Sequence, residues 1–201
     1  MMKAKRLIIV AVGGQGNLLA SRVLAEAALA SGVPIRMSEI HGMAQRGGVV
    51  ESALVFGDAR SPIISDAEAD VLVGFEPSET LRALNRCNPE SVVITNLAPL
   101  PPFTVSIGKG VYPDIKQIQD LIRAKTRTLI AFDATKMAHA AGSARAVNMV
   151  LLGALIQTRI LPVSVESVRS AIETKTARSF VPANLKAFEL GFEAAKNLAA
   201  S

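Results

Sequence analysis

The sequence predicts an α/β domain, with a mainly parallel sheet flanked by helices and a helical C-terminal third. Three observations carry that reading. Short apolar, β-branched runs recur along the first two thirds, most of them separated by stretches with helical spacing. The first of these runs, 7–12 (LIIVAV), is apolar on both faces, as a strand covered on both sides must be. Beyond Ala134 the strand-like runs stop and only helical patterns remain.

Taken in order, strand 7–12 leads into a glycine-rich turn and then a helix over 17–31, where Leu19, Val23 and Ala27 share one face at spacing four. Gly32-Val33-Pro34 ends that helix. Segments 34–40 (PIRMSEI) and 49–56 (VVESALVF) read as the second and third strands. Strands at 71–75 (VLVGF) and 91–95 (SVVIT) bracket a helix over 78–86, and 128–132 (TLIAF) is a further strand. Asp133 is placed to cap the helix that follows. Helices are expected over 144–160, 165–174 and 184–200, the last with Leu185, Phe188, Phe192 and Ala195 at helical spacing. The proline-rich 99–102 is a loop too short to separate domains, so the 201 residues form a single domain, 1–201.

Composition narrows the function classes. Half the residues are hydrophobic and only 19% are charged, which excludes a disordered chain, while the 4% aromatic content makes the core aliphatic. The net charge of +5 is mild and scattered, with no interleaved aromatics to stack bases, so nucleic acid is not the expected partner. No apolar run approaches the roughly 18 residues of a membrane helix. The six apolar residues of 7–12 are also too few for the core of a signal peptide, so the reading is a cytoplasmic protein. One cysteine, Cys87, rules out a disulfide framework, a Cys-ligated zinc site and a protein-held iron–sulfur cluster. With two histidines and no HExxH or G-x-S-x-G, neither a catalytic metal nor a nucleophile elbow is expected. His139 sits in an Ala-rich helix and reads as a structural or surface histidine, and Cys87 reads as a buried or incidental thiol.

Two segments carry candidate chemistry. Gly13-Gly14-Gln15-Gly16 lies between the first strand and the first helix, where glycines permit a sharp turn and the helix N-terminus offers free N–H groups. Strand, turn and helix resemble the dinucleotide fingerprint, and Glu39 falls near the position of a ribose-binding acid, but the glycine spacing 13, 14 and 16 fits poorly. A close-packed turn with no nucleotide is the reading the residues favour. At Gly14 a side chain is expected to be excluded by crowding. The second segment, 38–48 (SEIHGMAQRGG), gathers Glu39, His41, Gln45 and Arg46 between glycines, with Gly47 closing it. It leaves the carboxyl end of a strand beside the glycine turn, the usual ligand crevice of such sheets. Arg46 there could clamp a carboxylate or phosphate and His41 could move a proton. Alternatively, a Glu39–Arg46 ion pair fixes the loop.

The two segments together resemble the gamma-type domain of 2-oxoacid:ferredoxin oxidoreductases, and most closely its indolepyruvate branch. The residues that carry the resemblance are GGQGN with ASRVLAEA, SEIHGMAQRGG, DVLVGFE at 70–76 and NMVLLGAL at 148–155, so it spans nearly the whole chain. One departure is Ala11, where the family carries Gly. The resemblance implies a Rossmann-like fold and a subunit of a heteromeric enzyme that oxidatively decarboxylates aryl pyruvates, with coenzyme A taking the acyl group and ferredoxin the electrons. It further implies that thiamine diphosphate and the iron–sulfur clusters belong to a large alpha subunit and none to this chain. Gly13, Gly14, Gln15, Gly16, Glu39, His41, Gln45, Arg46 and Gly47 would then form a ligand or subunit-interface face. Two other classes compete: a self-sufficient NAD(P)-binding oxidoreductase, and a non-enzymatic scaffold module.

Overall fold

The computed structural model describes residues 2–42 and 48–199. The chain runs β1 (Lys5–Val12), α1 (Asn17–Ala30), β2 (Ile35–His41), β3 (Val49–Phe56), β4 (Ala69–Gly74), α2 (Pro77–Arg82), β5 (Cys87–Asn96), α3 (Phe103–Ser106) and α4 (Ile115–Lys125). It continues through β6 (Thr128–Phe132), α5 (Ala134–Ala140), α6 (Val147–Gln157), α7 (Val165–Lys175) and α8 (Val181–Ala199). Single 3₁₀ turns at Ala83–Arg86, Ala144–Ala146 and Arg178–Phe180 precede β5, α6 and α8.

The six strands lie in the order β2-β3-β1-β4-β5-β6. β1, β4, β5 and β6 pair in parallel, while β3 is antiparallel to both β1 and β2. The α/β sheet is therefore mainly parallel as the sequence predicts, with one difference. β3 begins eight residues after the end of β2 and lies antiparallel between β2 and β1.

Side-chain alternation sends the strands' apolar residues to two separate cores. Leu7, Ile9, Leu54, Val71, Val73 and Ile94 pack under α1 and the C-terminal helices, with Phe188 and most of α6. Ile8, Val10, Val55, Leu72 and Val93 meet the 83–86 turn and α4 on the other face. Ala11, the departure from the family's glycine, is fully buried in the first core and pairs with Val50. α6 is buried on all sides because α8 crosses it at backbone contact. A Cβ on Gly153 would lie 1.9 Å from the Phe188 carbonyl oxygen, and one on Gly191 would lie 1.8 Å from the Val150 oxygen.

The structure corrects three helix boundaries and adds a helix the sequence reading missed. The predicted helix over 78–86 is α2 followed by a 3₁₀ turn, because Glu76 caps α2 early through Glu79 N–H at 3.0 Å. The helix predicted over 144–160 begins as a 3₁₀ turn, and that predicted over 184–200 starts at Val181. α4 has no counterpart in the sequence reading. Its signal was Pro113-Asp114, the Asp accepting from Gln117 N–H at 3.0 Å, followed by Ile118 and Ile122, the buried stripe. Asp133 does cap α5, accepting from Lys136 N–H at 2.8 Å.

Cys87 opens β5 with no solvent exposure, in the α4-side core. Burial pushes its thiol up to about 11, with the hydrogen bond to Ser91 and the charge of Lys125 acting weakly against it. Relative to a thiol at 9.0, about 100-fold less thiolate is present at neutral pH. Iodoacetamide at pH 8 is therefore expected to leave the native chain unmodified and to alkylate Cys87 only after denaturant is added, as intact mass will show. His139 is exposed near the end of α5, and its carbonyl accepts from Gly142 N–H at 2.9 Å.

Candidate functional site

The carboxyl ends of β1 and β4, the turn after β1 and the start of β3 converge on one edge of the sheet. Gly13 N–H extends the β1–β3 ladder by donating to the Gly48 carbonyl at 2.8 Å. Gln15 folds back over its own turn: its Oε1 accepts from Val12 N–H at 2.8 Å, while its Nε2 donates to the Phe75 carbonyl at 3.2 Å. Asn17 donates to the Val50 carbonyl at 3.2 Å, and Asn148 on α6 donates to the Gly16 carbonyl at 3.2 Å. Three side-chain amides thus fix a turn that glycine alone would leave loose.

The glycines have different reasons to be there. Gly16 has φ +86°, and a Cβ would lie 2.6 Å from the Asn148 Nδ2. Gly14 has φ +100° with nothing within 4 Å of the Cβ position, so the crowding expected there is absent and the constraint is dihedral. Gly16 caps α1 without a side chain, and the N–H groups of Asn17, Leu18 and Leu19 have no acceptor among the described residues. Asn17 and Leu18 line a cavity of about 590 Å³ together with Gly13, Gly14, Gly16, His41 and Gly48 among others.

The sequence-predicted residues therefore divide. Gly13, Gly14, Gly16 and His41 share that cavity, whereas Gln15 lines a neighbouring one of about 280 Å³ with Gly14, Leu100 and Arg145. Glu39 pairs across the ladder with Ser52, three residues inside β3 from its start, and its Oε1 is buried without a hydrogen-bond partner among the described residues. Gln45, Arg46 and Gly47, with the Glu39–Arg46 ion pair considered above, lie outside the described residues.

Sequence reasoning did not assign roles to Asn17, Asn148 or Glu76, although each lies in a quoted motif. Glu76 is fully buried beyond β4. Its Oε2 accepts from Ser78 Oγ at 2.8 Å and Glu79 N–H at 3.0 Å; its Oε1 accepts from Leu100 N–H at 3.2 Å and from the Tyr112 hydroxyl. Burial and then the Glu76 carboxylate raise Tyr112 above the ordinary phenol range. One carboxylate thereby ties the long β5–α4 excursion to the edge that carries the glycine turn.

The dinucleotide reading fails on topology. In a dinucleotide-binding crossover the acidic residue ends the strand next to the glycine turn. Here β3 lies between β1 and β2, so Glu39 stands two strand spacings from β1 instead of one, about 9–10 Å away rather than about 5 Å. Nor do the residues fit an iron–sulfur cluster. Cys87 is buried away from this edge, and no group of three His, Cys, Asp or Glu able to hold a metal occurs among the described residues. No helix among the described residues is long and apolar enough to cross a membrane.

What remains is a Rossmann-like body with a glycine-bracketed edge. Residues 6–194 match the family model for pyruvate ferredoxin/flavodoxin oxidoreductase, and the chain belongs to that family. It is 40% identical over 199 residues to the indolepyruvate oxidoreductase subunit IorB of Pyrococcus horikoshii, covering 98% of each chain. It is 38% identical over 189 residues to the IorB of Methanothermobacter thermautotrophicus, covering 94% of this chain and 96% of the other. Among solved structures, the pyruvate oxidoreductase subunit PORC of Thermotoga maritima shares the fold with a TM-score of 0.71 at 24% identity, over 96% of this chain and 97% of that one. The 2-oxoglutarate:ferredoxin oxidoreductase of Magnetococcus marinus, with 2-oxoglutarate, coenzyme A and succinyl-CoA bound, superposes with a TM-score of 0.74 at 18% identity; the match covers 98% of this chain and 32% of that one.

Proposed function

We propose that this chain is the small, cofactor-free subunit of a cytoplasmic, heteromeric 2-oxoacid:ferredoxin oxidoreductase acting on indolepyruvate and related aryl pyruvates. The observation that carries this reading is the end-to-end 40% identity to an indolepyruvate oxidoreductase subunit. The reaction converts a 2-oxoacid and coenzyme A into acyl-CoA and carbon dioxide, delivering two electrons to ferredoxin. Thiamine diphosphate, held by the large subunit, supplies the electron sink for decarboxylation, and clusters there carry the electrons.

This chain contributes the shaped edge. The edge around the glycine-turn cavity is the face that meets the large subunit and the coenzyme A it uses, with Gly13, Gly14, Gly16 and His41 in that cavity and Gln15 in the one beside it. Glu39, Gln45, Arg46 and Gly47 are assigned to the same face. The open N–H groups at the positive end of α1 suit a pyrophosphate, and the Gly14 Cβ position is clear for close approach. Coenzyme A bound in the Magnetococcus marinus relative supports the choice of co-substrate.

The test is reconstitution. Neither this chain nor the large subunit alone is expected to reduce ferredoxin with an aryl pyruvate and coenzyme A, and mixing them restores turnover. Turnover by this chain alone, or undiminished turnover by the large subunit without it, would overturn the assignment.

A further inference from the structure

A third pocket, which shares Arg145 with the cavity of about 280 Å³, lies where the start of α1 meets the turn before α6, the end of α7 and the start of α8. Its volume is about 240 Å³, and its walls include Leu19, Ala177 and Phe180 with Arg145, Lys175 and Asn184. Most of its polar groups are already committed. Lys175 pairs with Glu26 at 2.9 Å, and the Thr176 hydroxyl donates to the Ile172 carbonyl at 2.7 Å. Asn148 holds the Gly16 carbonyl.

Two groups are not committed. Asn184 is only 7% exposed, yet its side-chain amide has no partner among the described residues. Its polar atoms still reach solvent, unlike the fully buried and unpaired Glu39 Oε1, Ser52 Oγ and Glu79 Oε2, so the amide is open to a ligand. The Arg145 guanidinium likewise has neither ion pair nor hydrogen bond among the described residues. One free cation and one free amide match a single carboxylate, which Arg can hold bidentately while an amide N–H donates to it. A phosphate dianion is less well served, because the only other cation already faces the Glu26 carboxylate. The remaining walls are Leu19, Ala177 and Phe180, with Ser143, whose hydroxyl accepts from the Arg145 backbone N–H, and Phe180, 43% exposed, offers an aromatic surface.

We infer that this pocket binds an aromatic carboxylate, with Arg145 and Asn184 holding the carboxylate and Phe180 and Leu19 the ring. The inference does not rest on the proposed function, because the site is complete within this chain. Its occupant would touch Asn148, the residue that fixes Gly16, and so would report directly on the geometry of the glycine turn.

The experiment is calorimetric titration of phenylacetate into the full chain, supported by ligand-observed NMR. Saturable one-to-one binding is expected. Arg145→Ala, an exposed position that should leave melting unchanged, weakens binding at least about tenfold, and the neutral isostere phenylacetamide binds at least about tenfold more weakly than phenylacetate. Phe180→Ala also weakens it, whereas His41→Ala, in the glycine-turn cavity, leaves it unchanged. Absence of saturable binding overturns the inference. So does displacement by inorganic phosphate at equal affinity, tighter binding of adenosine monophosphate, or loss of binding in His41→Ala.

Discussion

Gly191→Ala is expected to lower stability by about 3 kcal/mol or more, the upper end of what overpacking a core costs. The added methyl would sit 1.8 Å from the Val150 carbonyl oxygen, and the obstacle is backbone inside a helix rather than a side chain that can swing away. The only relief is to move α8 off α6, which opens the core that both helices share. For a domain of this size that corresponds to a melting point lower by about 6–12 °C. Gly153→Ala meets the Phe188 oxygen at 1.9 Å from the opposite helix and should cost a similar amount. The double variant should cost distinctly less than the two together, since helices separated by one methyl have room for the other. Gly110→Ala, whose Cβ would make only an ordinary 3.6 Å contact with Val105, is the control. A melting point within about 2 °C of the parent for Gly191→Ala would show that the crossing is not in backbone contact.

Gly16→Ala is expected to reduce turnover of the reconstituted enzyme by at least about tenfold, through geometry rather than through loss of a reacting group. Two costs coincide at this position. A non-glycine residue in the left-handed region costs about 1–2 kcal/mol. The methyl would also meet the Asn148 Nδ2 at 2.6 Å, and Asn148 is itself buried and holds the Gly16 carbonyl. Displacing that amide frees the turn that lines the cavity. Gly14→Ala carries the dihedral cost with open space around its Cβ, so its loss should be clearly smaller. Steady-state kinetics on both variants, with melting curves to separate misfolding from mispositioning, checks the order. Equal losses, or a Gly16→Ala enzyme within about twofold of the parent, would remove Asn148 from the positioning of this site.

The order of strands and helices was legible in the sequence wherever apolar period and punctuation agreed. β1 announced itself by an apolar run on both faces, α1 by its spacing and Gly32-Val33-Pro34 stop, and α5 by the Asp133 cap. Composition alone showed that one cysteine cannot hold a cluster, because ligand number is a property of the chain and not of its folding. Two motifs marked the edge on which the glycine turn lies. Amphipathic α4 escaped because a stripe of Ile118 and Ile122 is sparse and follows a proline-rich stretch that reads as loop.

Tertiary structure decided what depends on strand partners and on distant segments. Nothing local states that β3 returns between β1 and β2, since two strands and a short connection are compatible with pairing side by side or at a distance. That choice moved Glu39 away from the glycine turn and removed the dinucleotide reading. The crowding at Gly16 comes from Asn148, 132 residues later, and the Gly153–Gly191 crossing exists only once α6 and α8 are packed. The Arg145–Asn184 pocket likewise draws on four separate segments. Sequence determined which segments form strands and helices, because that rests on neighbours along the chain; packing alone determined which side chains meet, because contact is a property of the assembled core.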